Sequence, residues 1–337
     1  VITTIKTGRG PHRVRASASG RYLYVISRDG TLTQIDLYAA PPAAVADVRI
    51  GFEARAVGVS RHPDFEDRFV LAGAYWPPHL VLLNGKTLEP MRVISTRSRS
   101  VRSQRYHPEP RVSDVAGSRT RPEFIAHIKE TGHSYLYPYD DVRRLQIVDL
   151  DASADLRVGT FTADHRYFIT PADSNAISVL DTQQQSIVAE IPARVFGGGT
   201  GVTIEHPEHG PLWLVSTMVT STLTGIGVDP QRHPDKAWRS LVTLEVPGMG
   251  SMYLATHEQS RHLWMDTPLN SDQEISRSIA VFDKQNLGDG FQTLPIARWS
   301  GVIANSAQSP SRVLKPTYDA LGQEVWTIVW NPQDQNS

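Results

Sequence analysis

The residues with the most evident chemistry lie in GRGPHRVRASASGRYLYVISRDG, residues 8 to 30, where His12 stands among five arginines at the entrance to an alternating apolar run. An imidazole placed after Gly10-Pro11 is held out from a rigid loop, where it can ligate a metal or make an ordinary hydrogen bond. Arg15 follows three residues later, Arg28 closes the next strand in ISRDG, and Arg55 sits in GFEARAV. Guanidinium groups grip carboxylates and phosphates through paired donors. If these arginines share one end of a β-fold, they form a ring suited to a polyanion.

Two further stretches carry reactive side chains. AGAYWPPHL (72–80) ends a strand at its proline pair and offers Tyr75 and Trp76, one with a hydroxyl donor, although core and edge packing accounts equally for such aromatics. RYHPEPRV (105–112) holds His107 and Glu109 between rigid prolines, an arrangement usable for proton transfer or simply for a structural loop. No GxSxG elbow, HExxH, P-loop or EF-hand loop is present, and GGGTG (197–201) is not followed by a helical pattern, so hydrolase and phosphate-cradle chemistry is not expected. The absence of cysteine removes thiolate metal sites, cysteine nucleophiles and covalent c-type heme attachment within this chain.

These residues need a scaffold, and the remaining sequence describes one. The 337 residues are 40% hydrophobic, enough for a large core, and 34 basic residues nearly cancel 35 acidic ones. Bulk charge therefore does not point to a nucleic acid or a membrane surface. The distribution says more than the sum: only six basic residues are lysines, and arginines crowd into STRSRSVRSQRYHPEPR (95–111). No apolar stretch reaches the roughly eighteen residues that a membrane helix needs, and no signal peptide opens the chain.

A repeat of turn, alternating run and Asp-bearing strand end recurs along the chain. Its clearest copies are at 17–37, 162–191 and 260–286, with looser ones at 62–94, 121–141, 209–229 and 319–330. The spacing of roughly 40 to 60 residues suits four-stranded propeller blades. With helical periodicity nearly absent, the expected class is all-β, a single propeller domain over 1–337. The chain begins and ends in strand-like sequence, so eight blades are expected, the first and last incomplete.

In order along the chain, GAYWPP (73–78), LEP (88–90), YHPEPRV (106–112), RPEFIAHIKETG (121–132), HRYF (165–168), AVFDKQNL (280–287) and LPIARW (294–299) resemble the heme d1 domain of denitrification proteins. The resemblance implies an eight-bladed propeller and a periplasmic location. It also implies His12 as the proximal iron ligand, with Arg15, Arg28, Arg55 and Tyr75 holding the carboxylate side groups of heme d1. An arginine ring is the complement that a carboxylate-rich cofactor requires.

The departures from the family bear on activity. Where its nitrite reductases carry two histidines that protonate nitrite, this chain reads LRVGTF and FGGGTG, placing Arg157 and Gly197 at those positions. A positioned acid contributes roughly 10² to 10⁴ in rate, so losing both should cost heavily. The leading expectation is an oxidoreductase that converts a propionate of dihydro-heme d1 to the acrylate of heme d1. His107 is the expected base and Arg157 a carboxylate clamp. Heme c would lie only in a preceding domain or a partner, making a c-type cytochrome the expected electron acceptor and nitrite reductase a recipient of the finished heme d1. The alternatives are a nitrite reductase forming nitric oxide and a heme d1 carrier without turnover.

Overall fold

The computed structural model describes residues 3–152, 156–172, 175–193, 201–302 and 311–331. The chain divides into two compact units, Val1–Ser174 with Ser178–Val188, and Asn175–Ile177 with Ala189–Ser337.

Four-stranded antiparallel meanders account for most of both units. The first joins β1 (Pro11–Ala16), β2 (Tyr22–Ser27), β3 (Thr31–Asp36) and β4 (Ala43–Arg49), and the second β5 (Glu53–Val59), β6 (Phe69–Trp76), β7 (His79–Asn84) and β8 (Pro90–Ser95). A two-stranded hairpin, β9 (Ser98–Arg99) and β10 (Tyr106–His107), then interrupts the repeat. The third sheet joins β11 (Val112–Gly117), β12 (Glu123–Ile128), β13 (His133–Pro138) and β14 (Val148–Asp151). The fourth joins β15 (Thr160–Phe161), β16 (Tyr167–Ala172), β17 (Ala176–Asp181) and β18 (Ser186–Pro192). The fifth runs from β19 (Val202–His206) through β20 (Gly210–Ser216) and β21 (Thr222–Gly227) to β22 (Ser240–Glu245). The sixth comprises β23 (Leu254–Thr256), β24 (His262–Asp266), β25 (Ile279–Asp283) and β26 (Phe291–Leu294), and β27 (Arg312–Tyr318) pairs with β28 (Val325–Trp330). Among the described residues the α-helices are single turns of four and five residues, and no helix is long and apolar enough to cross a membrane.

The fold is all-β and built of propeller blades, in agreement with the eight-bladed class expected from the repeat. Each of the seven repeat copies falls on one of the six meanders or on the β27–β28 pair. The alternating runs become the middle strands: in β2, Tyr24, Val25 and Ile26 are all buried, and β12 is buried along its whole length. Apolar clusters fill the space between consecutive sheets. One joins Ile26 and Leu32 to Val57 and Val70, the next joins Leu71 and Leu82 to Phe124 and Tyr137, and a third joins Ile125 and Leu136 to Phe168 and Leu180. In the second unit Leu212 and Leu223 pack with Leu263 and Phe282.

Close packing of the first strands depends on small residues. A Cβ on Gly117 would stand 2.1 Å from the Val59 carbonyl oxygen, so β11 approaches β5 closely only because no side chain is there. Gly30, at φ +82°, closes the turn between β2 and β3 by donating its N–H to the Ser27 carbonyl at 3.0 Å.

Candidate functional site

The antiparallel registers bring several of the expected residues to one end of their sheets. Pro11 pairs with Ser27, so His12 at the start of β1 lies beside Arg28, whose N–H bonds the Gly10 carbonyl at 2.9 Å. Glu53 pairs with Trp76, which sets Arg55 near the start of β5 beside Tyr75 near the end of β6. The Arg55 guanidinium lies over the Tyr75 ring, 4.8 Å from its centroid, and Arg111 lies 5.4 Å from the same ring. Tyr75 therefore serves as an aromatic platform for two guanidinium groups.

His12 feels this assembly directly. Partial burial, then the charges of Arg13, Arg55 and Arg28, push its imidazole down to about 4. At neutral pH the ring is uncharged, the form that ligates a metal. The charges of Arg28 and Arg55 thus both act on His12. Arg15 is half-buried on β1 and shares by strand alternation the face of Arg13.

Arg13 leads inward. Its guanidinium pairs with Asp114 on β11, a carboxylate 1% exposed, whose other oxygen accepts from the Gly159 N–H at 3.1 Å. Through this bridge the Arg157 segment is tied to the strand that carries His12. The backbone of Arg157 is fixed on both sides, its N–H donating to the Pro171 carbonyl at 2.9 Å and its carbonyl accepting from Thr170 Oγ1 at 3.0 Å. Gly197 lies outside the described residues.

His107 occupies a different setting, on β10, opposite Ser98 of β9. Its Nδ1 accepts from the Glu109 N–H at 3.3 Å, which leaves the neutral ring's hydrogen on Nε2. Thr96 Oγ1 and Arg97 Nε bond the Pro110 and Pro108 carbonyls at 3.3 and 3.0 Å and hold the following turn. That turn delivers Arg111, four residues on, to the Tyr75 ring, while the contacts of His107 itself are with Ser98 and Glu109.

The charges are partly satisfied already. Arg55 holds Glu53 at 2.6 Å, Arg111 pairs with Glu130, and Arg13 pairs with Asp114. Arg28 is exposed, and among the described residues it has no carboxylate partner. The reading from sequence missed Arg13, Arg111 and their acidic partners. Arg111 stood within YHPEPRV, but only the assembled fold shows that its guanidinium reaches Tyr75.

Donor chemistry here suits an iron tetrapyrrole rich in carboxylates: a neutral imidazole among cationic walls with an aromatic platform. The comparisons agree. The family model of the cytochrome D1 heme domain matches residues 1–336. A nitrite reductase of Stutzerimonas stutzeri is 34% identical over 340 residues, covering 99% of this chain and 60% of the relative. A dihydro-heme d1 dehydrogenase of Pseudomonas aeruginosa is 28% identical over 273 residues, covering 80% of this chain and 50% of the relative. A solved dihydro-heme d1 dehydrogenase, NirN in complex with DHE, shares the fold at TM-score 0.75 and 23% identity, covering 96% of this chain and 62% of the other. The chain thus spans between half and two thirds of the length of these relatives.

Proposed function

The chain belongs to the cytochrome D1 heme domain family, and on that premise we propose that it binds dihydro-heme d1 as substrate and oxidises one propionate side chain to an acrylate. Arg157, which the resemblance sets where the family's nitrite reductases present a proton-donating histidine, is the residue that carries this reading over nitrite reduction. Reducing nitrite to nitric oxide and water consumes two protons and one electron, and an arginine does not release protons at neutral pH. The dehydrogenation runs the other way: two protons and two electrons leave adjacent carbons of the side chain.

His12 would hold the tetrapyrrole iron, while Arg15, Arg28, Arg55 and Tyr75 bind its carboxylates. His107 takes up one released proton at Nδ1, which breaks its long 3.3 Å bond from the Glu109 N–H. Arg157 clamps a carboxylate. The electrons pass to a c-type cytochrome, and a nitrite reductase receives the product. A periplasmic location belongs to the same proposal.

The test follows the visible spectrum of dihydro-heme d1 mixed with the purified chain and an artificial electron acceptor. His107→Ala should slow conversion about 10²-fold while binding is kept, as expected for loss of a positioned base. Unchanged conversion would remove His107 from the mechanism. A second reading, nitrite reduction, is favoured by the 34% identity to the Stutzerimonas stutzeri enzyme. Nitric oxide formation by the chain loaded with heme d1 would establish it.

A further inference from the structure

We infer that His133, Asp149 and Asp151 form a binding site for one divalent transition-metal ion of the zinc class, on one face of the third sheet. The strand register builds it. His133 on β13 pairs with Asp151 on β14, and Tyr135 pairs with Asp149. Residues two apart on a strand share a face, as do directly opposed residues of neighbouring strands, so the imidazole and both carboxylates rise on the same side. Nδ1 of His133 lies 2.9 Å from Asp149 Oδ1 and 3.8 Å from Asp151 Oδ1, and the three donor atoms all lie within 4.8 Å of one another. Metal bonds of about 2.1 Å set neighbouring donors about 3 to 3.5 Å apart, so small side-chain adjustments close the three on an ion.

The far side of the imidazole decides what Nδ1 can do. His133 is 9% exposed, and its Nε2 lies 2.8 Å from the carbonyl oxygen of Arg99, a residue of β9 outside the cluster. A carbonyl oxygen only accepts, so Nε2 carries a hydrogen. In a neutral ring that is the sole hydrogen, and Nδ1 then turns a lone pair on two carboxylates. Such an arrangement is repulsive unless a cation stands between the donors. Metal-ligating histidines are held in this way, the second ring nitrogen donating to a carbonyl that fixes tautomer and ring orientation. The Tyr135 ring stacks on the imidazole, centroids 5.3 Å apart at 9°, and supports it from the flank.

The surroundings leave the negative charge for an ion to neutralise. Among the described residues neither Asp149 nor Asp151 pairs with an arginine or a lysine. The Arg99 guanidinium is turned to the Gln104 carbonyl, 2.9 Å away. One proton would serve the contact of Nδ1 with Asp149 alone, whereas the second carboxylate supplies the charge and the third donor that a divalent ion uses. One imidazole with two carboxylates favours zinc or manganese over calcium and magnesium, which take oxygen donors. The Asp149 and Asp151 side chains are 42% and 73% exposed, so water completes the coordination. Bound there, the ion cross-links β13 to β14, the strand at the edge of its sheet.

The site shares no residue with the group assigned to dihydro-heme d1, and its test needs no tetrapyrrole. The whole chain, stripped with EDTA and dialysed, is titrated with zinc chloride at neutral pH by calorimetry. One ion should bind per chain with micromolar affinity or tighter, and the melting temperature should rise by a few degrees at saturation. Asp149→Asn and Asp151→Asn, at exposed positions that leave the fold intact, should each weaken this binding about tenfold or more. His133→Gln keeps a donor for the Arg99 carbonyl and should remove the binding. In nitrogen NMR of the imidazoles, zinc should move the Nδ1 resonance of His133 and leave Nε2 protonated. Zinc affinity unchanged in both aspartate variants would overturn the site and place the ion on other histidines. No binding of zinc or manganese chloride would overturn it as well, leaving a proton as the cation beside Nδ1. An Nδ1 resonance that zinc does not move would do the same.

Discussion

The Arg55 guanidinium has two calls on it, the Glu53 carboxylate at 2.6 Å and the face of Tyr75. A ligand carboxylate must compete with Glu53, so the affinity of the site is below what its count of arginines suggests. Replacing Arg55 with Ala should weaken binding of heme d1 about tenfold or more, the worth of one charge-assisted hydrogen bond. Glu53→Gln should act oppositely and tighten binding by a few-fold, about 1 kcal/mol for a partly exposed pair. Absorbance titration of the two variants checks both signs. His12, Arg28 and Arg55 stood out in the sequence as a histidine and arginines beside turns and strand ends, and Tyr75 gained a binding role only through the resemblance to the heme d1 domain; their binding roles belong to the proposal. Arg13 and Arg111 did not, because their roles depend on Asp114 and Tyr75, which are distant in sequence and meet only through adjacent sheets.

Within the sheets, the aspartate that marks the end of each clear repeat copy has a partner that sequence periodicity does not reveal. Asp36, Asp181 and Asp283 each hold the arginine preceding the second strand, Arg21, Arg166 and Arg261. Burial separates their worth. The Asp181 carboxylate is 1% exposed with Arg166 at 18%, whereas Asp283 and Arg261 are 27% and 58% exposed. Arg166→Leu leaves a buried carboxylate without its counter-charge and should cost about 3 kcal/mol; Arg261→Leu, at an exposed pair screened by solvent, should cost far less. Urea unfolding of the two variants ranks them. His127, opposite Asp114 in the third sheet, is fully buried, its Nδ1 2.7 Å from Ser134 Oγ and its Nε2 without a hydrogen-bond partner among the described residues. Burial pushes its ring down to about 4 against a small opposing effect of Asp114. The unfolded chain therefore takes up a proton below about 6.5 that the folded ring refuses until about 4. Stability is complete above that window and falls with acid through it, by up to about 1.4 kcal/mol per pH unit. Unfolding at about pH 7 and about pH 5 should show this loss, and His127→Phe should make it shallower. The hairpin β9–β10 was unreadable beforehand: strands of two residues carry no periodicity, and the arginine-rich stretch around them gives no apolar pattern.

For the whole molecule, the repeat was the legible part, since all seven copies coincide with sheets and the matched family covers residues 1–336. Choosing between reactions was harder, because family relatives with one fold include both a nitrite reductase and a dihydro-heme d1 dehydrogenase. In the proposal Arg157 is the side chain that separates the two, and its backbone is held by Pro171 and Thr170. An electron acceptor is part of the account, since two electrons must leave for every side chain oxidised. The most direct measurement supplies the chain with dihydro-heme d1 and an artificial electron acceptor, follows the visible spectrum, and assays nitric oxide from nitrite in parallel. The account predicts conversion to the heme d1 spectrum with no nitric oxide. Nitric oxide formation without conversion of the dihydro form would contradict it.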